Sequence, residues 1–118
     1  MRPRPLAVTI IGCVYILTGV VTGAFHFMQA WTHRPLSSDL IWIELTAAAA
    51  IIAGAFLLRG HDWARWLALA WMAFHVVLSI FHTIPELAIH SLFFAVLAYF
   101  LLRASANCYF RSARTPAV

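Results

Sequence analysis

Four apolar runs, each separated from the next by a short polar break, leave this chain few folds to choose from. A hydrocarbon core ~30 Å thick is crossed by a helix of ~20 mostly apolar residues. The runs cover residues 6–29, 40–58, 63–83 and 86–102, and together they take up most of the 118 residues. The chain is 64% hydrophobic and 10% charged. Soluble domains lie nearer about half apolar and about a quarter charged, and a chain this short has little interior in which to hide the excess. The expectation is an all-α integral membrane protein: one domain over residues 1–118, a four-transmembrane-helix bundle with short loops.

The breaks carry helix-ending chemistry. Pro35 and the Ser37-Ser38-Asp39 sequence precede the second run as a helix start. Arg59-Gly60-His61-Asp62 is a tight break, in which Gly60 suits the end of one helix and Asp62 the cap of the next. Pro85 and Glu86 fit the first turn of a fourth helix, and the segment after Arg103 reads as a short tail that frays at its end. The first run follows Arg2 and Arg4 and could be a secretory signal, with Ile10-Ile11-Gly12-Cys13 resembling a lipoprotein cleavage box. The apolar run continues well past Cys13 and meets no small-x-small site, so the expectation is a retained helix. Cys13 and Cys108 are too few and too separated for a CxxC redox or zinc motif.

Orientation follows from the arginines, the chain's only basic residues besides histidine. Arg2, Arg4, Arg59, Arg65, Arg103, Arg111 and Arg114 fall on the side of both termini, against Arg34 alone on the other. The positive-inside rule then predicts cytoplasmic termini, N-in and C-in, in a plasma or bacterial-type inner membrane, with Arg59, Arg65 and Arg103 as topology anchors. Trp31 and Trp42 on one side, with Trp63, Trp66 and Tyr109 on the other, fit interfacial belts. The net charge of +4 would suggest nucleic acid if the arginines formed one patch, but they sit at span ends. A faint echo links Ala24-Phe25-His26 with Ala73-Phe74-His75, and Phe56–Arg59 with Phe100–Arg103. The two offsets differ by five residues, and such matches arise readily by chance in a chain this rich in Ala, Phe and Leu.

Ionisable residues inside a span are costly and mark functional hypotheses. At a rise of ~1.5 Å per residue, Glu44 and His90 each lie roughly 6 Å inside the outer ends of their runs. His26 and His82 fall nearer the outer boundary, and His75 falls close to mid-helix with no partner at its own level. Gly12, Tyr15, Gly19, Gly23 and His26 form a small-residue face on the first run. Ala68, Met72, His75, Ser79 and His82 form one on the third, and small faces mark helix contacts. On the fourth run the small face lies about 100° from His90. The candidate pocket is therefore an outward-opening funnel of Glu44, His75, His90, His82 and His26.

Three function classes follow. A non-enzymatic accessory or structural subunit, self-assembling or part of a larger membrane complex, fits the minimal loops and the lack of a nucleophile beside a base. A cofactor protein would hold a transition metal at His26, Glu44, His82 and His90, or haem b between inward histidines. A small proton-coupled transporter would use Glu44 as its buried carboxylate. In size and span number the chain resembles the small multidrug resistance family, which implies such transport. That family carries its essential glutamate in the first span, where this chain has none.

Overall fold

The computed structural model describes residues 3–33 and 38–115; Arg2 and the Arg34–Ser37 turn signals lie outside them. The described chain is all-helical: α1 (Leu6–His33), α2 (Ser38–Leu58), α3 (Asp62–Ser79), α4 (Ile84–Leu102) and α5 (Ala104–Arg114). Three of these, α1, α2 and α4, are long and apolar enough to cross a membrane. The fourth expected span is not among them. Within α3, Asp62, Arg65, three tryptophans and His75 dilute the apolar content, and the helix stops at Ser79 rather than Thr83. Past Ser79 the chain tightens into a turn through Ile80 N–H to Val77 O, Phe81 N–H to Leu78 O and His82 N–H to Ser79 O. Such i→i−3 bonds are how a helix end unwinds.

Each junction has a local cause. Gly60 adopts φ 80°, and the Gly60 N–H to Leu57 O and His61 N–H to Phe56 O bonds close a Schellman motif on α2. The cap of α3 is His61, whose side chain makes no capping bond. Asp62, expected as the cap, is the first helical residue and pairs with Arg65 at 2.7 Å and Arg114 at 2.6 Å. Thr83 caps α4 by accepting from the Glu86 N–H, with Pro85 in the first turn where its missing N–H costs nothing.

The chain runs up, down, up and down. α1 and α2 are antiparallel and closely applied through glycines. A Cβ on Gly54 would lie 2.5 Å from the Gly12 carbonyl oxygen, and one on Gly19 would lie 2.6 Å from that of Ala47. Gly19-x-x-x-Gly23 is thus a contact face, as its spacing predicts. α3 joins this pair through the Tyr15 hydroxyl donating to Ala68 O at 2.7 Å and the Trp71 Nε1–H donating to Thr46 O at 2.8 Å. The interior is built largely of small residues, among them Ala47, Ala50, Ala53, Ala64 and Ala68. Leu57, Leu101 and Phe110 are buried with them, but many large apolar side chains, such as Leu17, Phe25, Trp31, Phe81 and Leu92, face outward. That inversion of the soluble pattern is the one lipid permits, since lipid gives no penalty for an outward Leu.

The expected short tail is helical over Ala104–Arg114, while its end, where fraying was expected, lies outside the described residues. Ala106 and Phe110, four residues apart, are buried, and the Tyr109 hydroxyl donates to Leu58 O at 3.1 Å. Arg65 bonds Asn107, and Arg114 ties the last turn to Asp62. α5 therefore closes the end of the bundle where α2 stops and α3 starts.

Candidate functional site

Across the α3–α4 turn, His75 and His90 stand seven residues before His82 and seven after Thr83. In an antiparallel hairpin that symmetry brings them level, and their ring centroids lie 6.1 Å apart at 35°. The expectation that His75 lacks a partner at its depth is therefore corrected. It rested on running α3 to Thr83, which misplaces the residues of α3 relative to those of α4. His90 is also turned inward, although the small residues of its own helix suggested another face.

Both imidazoles are held by their Nδ1 atoms. His75 Nδ1 lies 2.9 Å from Trp71 O, and a carbonyl only accepts, so Nδ1 carries the proton. The Ser79 hydroxyl donates to His75 O at 2.8 Å, which leaves its oxygen to accept from His90 Nδ1 at 2.7 Å. His90 Nδ1 also lies 2.9 Å from Glu86 O, a second acceptor that fixes the same tautomer. In each neutral ring the remaining nitrogen, Nε2, is then an unprotonated electron-pair donor. A second-shell bond at one ring nitrogen is the usual way a ligating histidine is oriented.

The two rings line a cavity of about 220 Å³ between α1, α3 and α4 with Val14, Tyr15, Thr18, Trp71, Met72 and Phe93. Trp71 lies against His75 with centroids 4.0 Å apart, and Tyr15 lies against Trp71 at 5.3 Å. Both the Tyr15 hydroxyl and the Trp71 N–H are spent on backbone carbonyls, which leaves the two imidazoles and Thr18 as the polar side chains of the lining that are not committed in this way. Sites for drug-sized ligands run ~300–1,000 Å³, so this space suits an ion or a single ring and does not fit a haem macrocycle.

The other expected members do not join. Glu44 lies in the α1–α2 seam beside Gly23, where its Oε1 is buried without a hydrogen-bond partner. His26 meets Phe25 edge-on at 5.4 Å. His82 sits exposed on the turn, 3.3 Å from Glu86 Oε1. The set His26, Glu44, His82 and His90 is thus not assembled, and among the described residues no three His, Cys, Asp or Glu side chains group to hold a metal. The reasons are local: α3 ends three residues before His82, and Glu44 lies half-buried along the α1–α2 seam beside Gly23, apart from the cavity of the imidazoles. Cys13 and Cys108 are both free thiols.

The anchor arginines are all at one end. Arg59 lies over Phe56 at 5.6 Å and Arg103 over Phe100 at 5.0 Å, so the echoed Phe–Arg sequences also share a geometry. Arg65 lies between Trp66 and Phe110, at 5.3 and 5.5 Å.

Fold and site define a small all-helical protein with three membrane-length apolar helices and an imidazole-lined cavity. Compared with protein-family profiles, curated proteins and solved structures, the chain finds no match.

Proposed function

We propose that this chain is a non-enzymatic accessory subunit of a membrane, a four-span bundle with both termini cytoplasmic, that carries a small ligand between His75 and His90. α3 completes the fourth crossing. At 18 residues it extends roughly 27 Å, and its polar residues face the other helices or the cytoplasmic end. The outer half of the bilayer then holds the cavity, and the arginine-rich end with α5 lies at the cytoplasmic surface.

One observation carries the reading: two histidines that line one cavity both spend Nδ1–H on fixed acceptors, which leaves Nε2 of each ring as its electron-pair donor. The Met72 thioether lines the same space. Two imidazoles and a thioether form a donor set for a soft or borderline ion, Cu⁺ or Zn²⁺, and a poor one for Mg²⁺ or Ca²⁺.

The test is a titration of chelator-stripped protein in mild detergent with Cu⁺ and with Zn²⁺, with bound metal read by elemental analysis. One ion per chain is expected, lost in His75→Ala and in His90→Ala and kept in His26→Ala and His82→Ala. Binding that is absent in the wild type, or that survives both pocket substitutions, overturns the reading.

A second reading, the small proton-coupled transporter, draws on the unpartnered Glu44 Oε1. An enclosed carboxylate oxygen lacking a donor is an energetic cost that function would explain. Proteoliposomes bearing a pH gradient should then show proton flux in the wild type and none in Glu44→Gln. Equal flux in the two excludes that role for Glu44.

A further inference from the structure

We infer that the cleft between α1 and α4 is a binding site for one anionic phospholipid, its headgroup at Arg103 and an acyl chain lying along the cleft toward the histidine cavity. This rests on α1 and α4 lying in a bilayer, as the proposed function has them.

Toward the α5 end the two helices part to leave a groove of about 400 Å³, walled by Ala7, Ile10 and Ile11 on one side and Val96 and Phe100 on the other, with Arg103 at its end. One turn further on, Val14 and Phe93 line the histidine cavity, so the two spaces follow one another along the same helix pair. From Arg103 to Phe93 the cleft runs roughly 15 Å, the length of a substantial part of an acyl chain. Its walls are apolar, and both helices that form it are of membrane length. A bilayer would fill it with lipid.

Charge selects which lipid. The Arg103 guanidinium lies over the Phe100 ring, and its Nε is buried with no hydrogen-bond partner. The carboxylate at that end of the bundle, Asp62, is held by Arg65 and Arg114. Asp39, Glu44 and Glu86 belong to the opposite half. Among the described residues, Arg103 is thus a cation at the mouth of an apolar groove with no protein anion to answer it. A phosphate bearing a net negative charge supplies the missing charge at the half-buried guanidinium. A zwitterionic headgroup cancels that charge with its own amine.

The experiment uses the full chain, freed of lipid by detergent exchange and offered phosphatidylglycerol or phosphatidylcholine with identical acyl chains. Native mass spectrometry counts the lipid retained. One phosphatidylglycerol per chain should be kept in preference to phosphatidylcholine. Arg103→Gln should lower that preference about fivefold, the worth of one juxtamembrane cation, and Arg103→Lys should keep most of it. Val96→Trp, which fills the groove and leaves Arg103 in place, should expel both lipids. If Arg103→Gln fails to fold, the lysine and tryptophan variants still decide. Equal retention of the two lipids, or an undiminished preference in Arg103→Gln, overturns the inference. So does a lipid-free dimer that Val96→Trp dissociates, because the groove would then be covered by a second copy. Metal content does not enter this measurement, so it stands or fails apart from the His75–His90 reading.

Discussion

Ser79 of α3 and His90 of α4 share a 2.7 Å hydrogen bond in which the serine oxygen accepts, because its own proton is committed to His75 O. Ser79 is 2% exposed, so this is an enclosed polar link between two helices. The same bond joins the two histidines indirectly: one serine receives from one ring and donates to the backbone of the other. Position and tautomer are thereby set together.

Replacing that serine should loosen the hairpin. Ser79→Ala deletes the acceptor and leaves His90 with Glu86 O alone, at a cost of about 1 kcal/mol, the usual worth of a polar contact between membrane helices. Exposed Ser91→Ala, on the same helix as His90, should change stability by less than about 0.5 kcal/mol. Thermal unfolding of the two variants in one detergent makes the comparison. Equal stability of Ser79→Ala and wild type would remove the bond from the account.

The α1–α2 seam should be intolerant of the smallest addition. In Gly54→Ala the new methyl would sit 2.5 Å from the Gly12 carbonyl oxygen, which is backbone and cannot swing aside. Overpacking of this kind costs about 1–3 kcal/mol. At Gly23 the nearest atom is the Glu44 Oε2 at 3.3 Å, on a side chain that can yield, so Gly23→Ala should cost clearly less. Denaturation in detergent ranks the two; the reverse order would show that the helices are not so closely applied.

α5 should behave as part of the fold. Phe110 is 1% exposed beneath Arg65, and Phe110→Ala should destabilise by roughly 3 kcal/mol, as for other enclosed aromatics. Exposed Arg111→Ala should be near neutral. Protease resistance of the segment after Arg103 provides a second readout, and rapid cleavage there in the wild type would contradict the packing.

How far the sequence reads the fold depends on which signal carried each element. The apolar runs gave α1, α2 and α4 to within a few residues because length and hydropathy suffice there. α5 was missed because its signal is slight: Ala106, Phe110 and Ala113 at helical spacing in an eleven-residue polar stretch. The C-terminal end of α3 was missed because Ile80 and Phe81 continue the apolar run through a turn. That error propagated to the site. It set His75 without a partner and His82 on an inward face, whereas ending α3 at Ser79 makes His75 and His90 equidistant from the turn. Relative depth was misjudged together with the helix end, and facing was not legible either, since it depends on where two helices cross, as the placing of Glu44 beside Gly23 in the α1–α2 seam shows.

The most direct test of the central claim is nitrogen NMR of protein labelled with ¹⁵N-histidine, with resonances assigned through single His→Gln variants, before and after Zn²⁺ is added. The account predicts that His75 and His90 both carry the neutral-ring proton on Nδ1, and that their Nε2 resonances, but not those of His26 or His82, move on adding the metal. Protons found on Nε2, or Nε2 signals indifferent to the metal, would contradict a ligand site at this pair and leave Ser79 and His90 as a link between helices only.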